Sequence, residues 1–129
     1  MIQRRRLSEA QAEQAIKRGE FDELVTGAAP RVAVVLSQDW CGQWNMMDRY
    51  LNELAAGEAG EGQGEPGAVV YDFLYNRAEC FQEFKSFKEG GWGNTQIPYV
   101  RYYRGGRLVG ESNYVTEEQF LQRLGEAER

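Results

Sequence analysis

The sequence predicts an α/β fold: a central mixed sheet of about four strands flanked by helices, in the order α-β-α-β-α-β-β-α. Three observations carry this. "VAVVL" (32–36) and "AVVYDFLY" (68–75) are continuous apolar runs rich in β-branched residues, the pattern of strands buried on both faces. Helical patterns separate the runs, which implies parallel pairing through right-handed crossovers. Near the C-terminus "IPYVRYYRGGRLVGESNY" (97–114) reads as strand, Gly105-Gly106 turn, strand, so an antiparallel pair completes the sheet. The length of 129 residues fits one domain, taken as 1–129.

Each element has a local cause. Residues 1–20 are assigned to an N-terminal helix: "SEAQ" from Ser8 is a capping box, Ala12, Ala15 and Ile16 share a face, and Gly19 supplies a stop. "FDELVTGAAP" (21–30) is a turn or a short helical piece leading to Pro30. "NMMDRYLNELAA" (45–56) places Met46, Met47, Tyr50, Leu51 and Leu54 at helical spacing. "GEAGEGQGEPG" (57–67), acidic and Gly-rich, reads as a flexible surface loop. "AECFQEFKSFKE" (78–89) reads as a helix with Phe81, Phe84 and Phe87 three apart. Val100 and Tyr102 alternate with Arg101 and Tyr103, which predicts one buried and one wetter face. "TEEQ" (116–119) is a second capping box, opening a helix that carries Phe120, Leu121 and Leu124 on one side.

Composition narrows the function. Six Phe, seven Tyr and three Trp provide a core without metal or disulfide staples. The net charge of −5 argues against nucleic acid as a partner, and the one basic cluster, Arg4–Arg6, reads as a solvated segment. The chain has no histidine, which removes the usual general base and the commonest metal ligand. Two cysteines alone make a poor zinc site, so no metal is expected. "MIQRRRL" is not followed by an apolar stretch, and no run approaches a membrane span. Two cysteines do not form a secreted disulfide framework; the expected location is cytoplasmic, with both thiols reduced.

The chemistry centres on "SQDWCGQW" (37–44), directly after the first buried strand. "WCGQW" at 40–44, "GNTQIP" at 93–98 and "RYYRGGRLV" at 101–109 together resemble the thioredoxin family, over roughly residues 20–125. The family's motif is Trp-Cys-Gly-Pro-Cys; here Trp44 stands where the second cysteine would be, so the closer likeness is to monothiol members of that superfamily. The resemblance implies that the Ile97–Pro98 bond is cis and faces Cys41; the plain alternative is a trans proline starting a strand. It also places a buried carboxylate six residues before the first cysteine, where this chain has Val35. The partner-facing glycine after the last strand falls near Tyr114.

Cys41 is the candidate catalytic thiol. It is expected at the start of the following helix, where unpaired N–H groups and the helix dipole favour an anion; a nearby Asp39 would oppose this. Trp40, Gly42, Trp44, Ile97, Pro98 and Tyr99 are the candidate substrate-binding residues. Trp44 either packs in the core or walls a groove, and Trp92 with Tyr99 is a further candidate wall. Cys80 is a candidate second thiol, because it too follows a strand of the parallel sheet; its bland reading is a small buried residue beside the phenylalanine face. Two functions follow. One is monothiol exchange on mixed or glutathionylated disulfides, with a protein or peptide as partner and glutathione as co-substrate. The other is a non-catalytic binding module; a redox sensor that uses Cys41 and Cys80 is a third. Rapid dithiol reduction is disfavoured, since Cys41 has no resolving cysteine at position 44.

Overall fold

The computed structural model describes residues 2–56 and 66–125; most of the Gly-rich stretch read as a loop (57–65) therefore lies outside the described residues. The sheet has five strands, β1 (Ile2–Arg6), β2 (Arg31–Ser37), β3 (Ala68–Leu74), β4 (Tyr99–Arg104) and β5 (Arg107–Ser112), in the spatial order β1-β3-β2-β4-β5. β3 pairs in parallel with both β1 and β2, while β4 runs antiparallel to β2 and β5. Among the described residues five α-helices flank it: α1 (Glu9–Arg18), α2 (Glu23–Thr26), α3 (Gly42–Ala56), α4 (Phe81–Ser86) and α5 (Glu117–Leu124).

The strand at Ile2–Arg6 corrects the assignment of residues 1–20 to a helix and the count of about four strands. An edge strand needs only one interior face. Ile2 fills part of it, and Arg4 lays its stem and fork along the rest, so the arginine run is not simply solvated. The helix of this segment starts where the capping box predicts. Ser8 accepts from the Gln11 N–H at 3.1 Å, and Gly19, at φ 84°, ends it in the left-handed region. The β4–β5 hairpin turns on Gly105 and Gly106 (φ 60° and 81°), as a two-residue turn matched to strand twist requires. Thr116 and Gln119 form the second capping box, at α5.

β2 is covered on both sides, with Val32 to Ser37 all buried. Val32, Val34 and Leu36 face one cluster with Phe21, Val25, Phe73, Phe84 and Tyr99. Ala33 and Val35 face the other, with Cys41, Trp44, Met47, Leu51, Val100 and Phe120. The 78–89 segment departs from the expected stripe. α4 ends at Ser86 and is followed by a π-helical turn over Phe87–Gly91, and the buried row is Cys80, Phe84 and Lys88, spaced four apart. Phe84 sits at its centre, 5.3 Å from the rings of both Phe73 and Tyr75.

The expected wetter face of β4 is also corrected: Arg101 is only 4% exposed. Its Nη2 donates to Glu20 Oε1 (2.6 Å), its Nη1 to Tyr99 Oη (2.8 Å) and its Nε to Tyr103 Oη (2.9 Å). The guanidinium lies 4.1 Å from the centroid of a Trp92 ring. A buried charge is tolerated when paired and fully hydrogen-bonded, and this one uses every edge of its fork. Lys88 is the second buried cation, fully enclosed, with its Nζ donating to Asn94 O (2.9 Å), Asn94 Oδ1 (3.2 Å) and Gln96 O (2.8 Å). Burial lowers its pKa to about 8.

Two outcomes follow. Phe84→Ala should destabilise the fold by about 3–5 kcal/mol in urea unfolding, through lost burial and an unfilled cavity; a loss below ~1 kcal/mol would contradict the packing. The Lys88 linkage has a definite sign. Folded Lys88 releases its proton near pH 8, whereas the unfolded lysine keeps it to about pH 10.5, so between these values the unfolded chain binds more protons. The wild type should therefore gain about 1–2 kcal/mol relative to Lys88→Met between pH 8 and 9.5. A flat difference across that window would show that burial does not penalise the charge.

Candidate functional site

The site is assembled where β2 ends and β4 begins. β2 and β4 are antiparallel with Leu36 opposite Tyr99, so the residues after Ser37 and those before Tyr99 lie at one sheet edge. After β2 the chain turns through Gln38, Asp39 and Trp40 and enters α3 behind Cys41. The Cys41 N–H donates to Gln38 O (3.3 Å), and Cys41 O accepts from the Asn45 N–H (3.1 Å), the first bond of the helix. The thiol thus stands at the N-terminal end of a 15-residue helix. Across from it the Ile97–Pro98 peptide is cis, and Cys41 Sγ lies 4.0 Å from Ile97 O.

Cys41 is 7% exposed and Trp40 68%, so a nearly buried cysteine sits beside a projecting indole. The indole is held, with its Nε1 donating to Gln38 Oε1 at 2.7 Å. Gly42 is exposed, and a methyl group added there would meet nothing within 4 Å. Asp39 faces Arg77, whose Nε donates to Oδ2 at 2.7 Å, and Asn76, whose Nδ2 donates to Oδ1 at 2.8 Å. Arg77 first, and Asn76 with it, hold the Asp39 carboxyl below the usual carboxylate range. The charge expected to oppose a thiolate is therefore matched by a guanidinium.

Behind the thiol, α3 is pinned to the edge strand by Arg4. Its Nε donates to Asp72 Oδ2 (2.9 Å), its Nη2 to Asp48 Oδ1 (2.6 Å) and its Nη1 to Asn52 Oδ1 (2.6 Å). Its guanidinium carbon lies 5.6 Å from the Trp44 ring centroid. Trp44 is 4% exposed and packs in the core, with an edge on the surface cavity that Arg4, Asp39, Asp48 and Arg77 also line. Val35 is fully buried, and its register partner on β3 is Asp72, so a carboxylate stands one strand away, committed to Arg4.

The remaining candidates divide between this site and the far core. Tyr99 is fully buried and faces the opposite core from Cys41, because alternate residues of β4 point to opposite sides. Its hydroxyl donates to Glu111. Trp92 is likewise structural: its Nε1 donates to Gly19 O (3.0 Å) and its ring meets Phe87 at a tilt, centroids 4.5 Å apart. Ile97, half-buried, touches both cores, and Pro98 is buried beside it. Cys80 packs in the cluster across the sheet from Cys41, and both thiols are free. Burial, then Glu9 and Glu13, push the Cys80 thiol up to about 11. Donor atoms of Glu9, Glu13 and Cys80 come within 4.8 Å of one another. Sequence reasoning missed Arg4, Asn76, Arg77, Lys88, Asn94 and Asn113. Polar residues next to strand ends look alike until the chain folds, and only the post-strand position of Asn76-Arg77 hinted at a role.

No protein-family model matches the chain, and no curated protein matches it. Solved structures do. Thioredoxin F from spinach chloroplast (short form) is 16% identical with a TM-score of 0.64, covering 98% of this chain and 95% of its own. Thioredoxin O2 from Arabidopsis thaliana, in its oxidized state, is 15% identical with a TM-score of 0.64 and the same coverage. A thioredoxin from Malassezia sympodialis is 15% identical with a TM-score of 0.59, covering 95% of this chain and 88% of its own. Strand order, helix placement and this likeness agree: the chain has the thioredoxin-like α/β fold.

Proposed function

We propose that this protein is a monothiol exchanger that acts through Cys41 on mixed or glutathionylated disulfides. One observation carries the reading: Cys41 Sγ sits at the start of α3, 4.0 Å from the Ile97 carbonyl of the loop that faces it. The amide N–H groups of the first turn have no helical partner and favour negative charge on sulfur in the transition state of exchange. In the first step the Cys41 thiolate attacks the glutathione sulfur of a protein–glutathione disulfide. A Cys41–glutathione disulfide forms and the protein leaves as a thiolate, which takes a proton from water. A second glutathione thiolate then attacks the Cys41-bound sulfur, releasing oxidised glutathione and restoring Cys41. Trp40, Gly42 and Ile97 border the approach, and Asp39 with Arg77 supplies a charge-balanced rim. Glutathione supplies the second thiol, and a reducing, cytoplasmic setting suits this cycle. Among the described residues no helix is long and apolar enough to cross a membrane.

A second reading is a binding module that holds a protein segment between Trp40 and the Ile97–Pro98 loop. The slight exposure of Cys41 beside a projecting indole favours it. A Cys41–Cys80 sensor is disfavoured, since the two thiols pack on opposite faces of the sheet.

Incubation with a glutathionylated peptide, read by intact mass, should add one glutathione to the wild type and none to Cys41→Ser. Full transfer to Cys41→Ser, or none to the wild type with peptide binding intact, would leave the binding module. Cys80→Ala should react at the wild-type rate, and Cys80 should resist iodoacetamide at pH 8 in the folded protein, since its thiol titrates only near 11. Alkylation of Cys80 at a rate within tenfold of that of a free cysteine would contradict its burial.

A further inference from the structure

The loop that faces Cys41 is held by a device that the proposed reaction does not by itself require. Lys88 leaves the π-helical turn and is fully enclosed, with no exposed surface. An ammonium is costly to bury, and this one is satisfied entirely by the segment leading to Pro98: Asn94 O at 2.9 Å, Asn94 Oδ1 at 3.2 Å and Gln96 O at 2.8 Å. The same segment is gripped from its other side. Asn113, just past β5, donates from Nδ2 to Pro98 O (2.9 Å) and Gln96 O (3.3 Å) and exchanges amide contacts with Asn94 at 3.2 Å. Asn94 closes the ring, with its Oδ1 accepting the Gln96 N–H at 3.0 Å. Two side chains, Lys88 and Asn113, thus occupy the carbonyls of residues 94, 96 and 98, and the Asn94 amide links them. The Ile97 carbonyl between them is turned to Cys41.

A loop without hydrogen bonds of a sheet or helix samples several backbone shapes, and each is a cost at binding. Clamping alternate carbonyls on the protein side fixes the direction of the peptide group between them. That group then meets an incoming chain in one orientation.

We propose that Lys88, with Asn94 and Asn113, is a positioning residue that presets the 94–98 backbone to receive an extended peptide disulfide opposite Cys41. This rests on the exchange reading above. It predicts selectivity: substrates that dock along the loop need the clamp, whereas a small disulfide that meets only the sulfur does not.

The experiment compares wild type, Lys88→Met and Asn113→Ala in two measurements on the full chain. The first is amide hydrogen exchange over residues 93–99. The second is the rate constant for capture at Cys41 of a glutathionylated peptide and of 2-hydroxyethyl disulfide. Asn113 is half-buried and just past β5, so its variant keeps the test open if Lys88→Met fails to fold. Expected are exchange at least tenfold faster over 93–99 in each folded variant, and at least a tenfold fall in the peptide rate. The small-disulfide rate should stay within twofold. Unchanged exchange would overturn the clamp, and equal change in both rates, or in neither, would overturn the positioning role. If the wild type captures neither disulfide, the exchange reading fails and the positioning role falls with it; hydrogen exchange then decides the clamp separately.

Discussion

Burial of β2 on both faces is the constraint on which the rest depends. A strand with Val32 to Ser37 all enclosed must have neighbours on each edge and helices on each side. The parallel neighbour, β3, requires a crossover, and that crossover begins with α3. The antiparallel neighbour, β4, starts at the edge where β2 stops. Cys41 at the head of α3 and Pro98 before β4 are brought together by these two pairings, although 56 residues separate Cys41 from Ile97. The site is a product of sheet topology, and no local interaction between the two segments is needed to form it.

Two arginines fasten the helices to this sheet from opposite faces. Arg4 ties β1 to α3 through Asp72, Asp48 and Asn52, beneath the helix that carries the thiol. Arg101 ties β4 to Glu20 at the end of α1, with Trp92 stacked upon it. Breaking such a pair leaves a buried charge without its partner, a far larger penalty than losing an exposed ion pair. Their benefit to the fold is one of geometry: forks with fixed directions admit one placement of helix against strand. The carboxylate next to Val35 illustrates the point, since Asp72 is engaged in holding Arg4.

Much of the fold was legible because burial and turns leave periodic marks. The runs at 32–36 and 68–75, the capping boxes at Ser8 and Thr116, and the Gly105-Gly106 turn each announce their element with its physical cause. β1 was hidden because an edge strand with one apolar residue and three arginines resembles a solvated segment. The α4 region hides its inward face because spacing by threes selects Phe81, Phe84 and Phe87, whereas the buried row steps by four and includes a lysine. Tyr99 and Trp92 looked like groove residues because they neighbour Pro98 and its loop. Strand alternation sent Tyr99 to the far core, and Trp92 is occupied with Gly19 and Arg101.

By itself, then, the sequence determined the α/β class, most element boundaries, and the presence of a single thiol in a Trp-Cys-Gly-Gln-Trp motif, because these depend on periodicity, caps and residue identity within a short window. Only the tertiary structure decided which groups share an environment. It separated Cys41 from Cys80 across the sheet, matched Asp39 with Arg77, buried Trp44 beside Arg4, and set Lys88, Asn94 and Asn113 around the loop that faces the thiol. Those pairings are long-range: they arise when strands register and helices dock, and a polar side chain carries no mark of its partner until then.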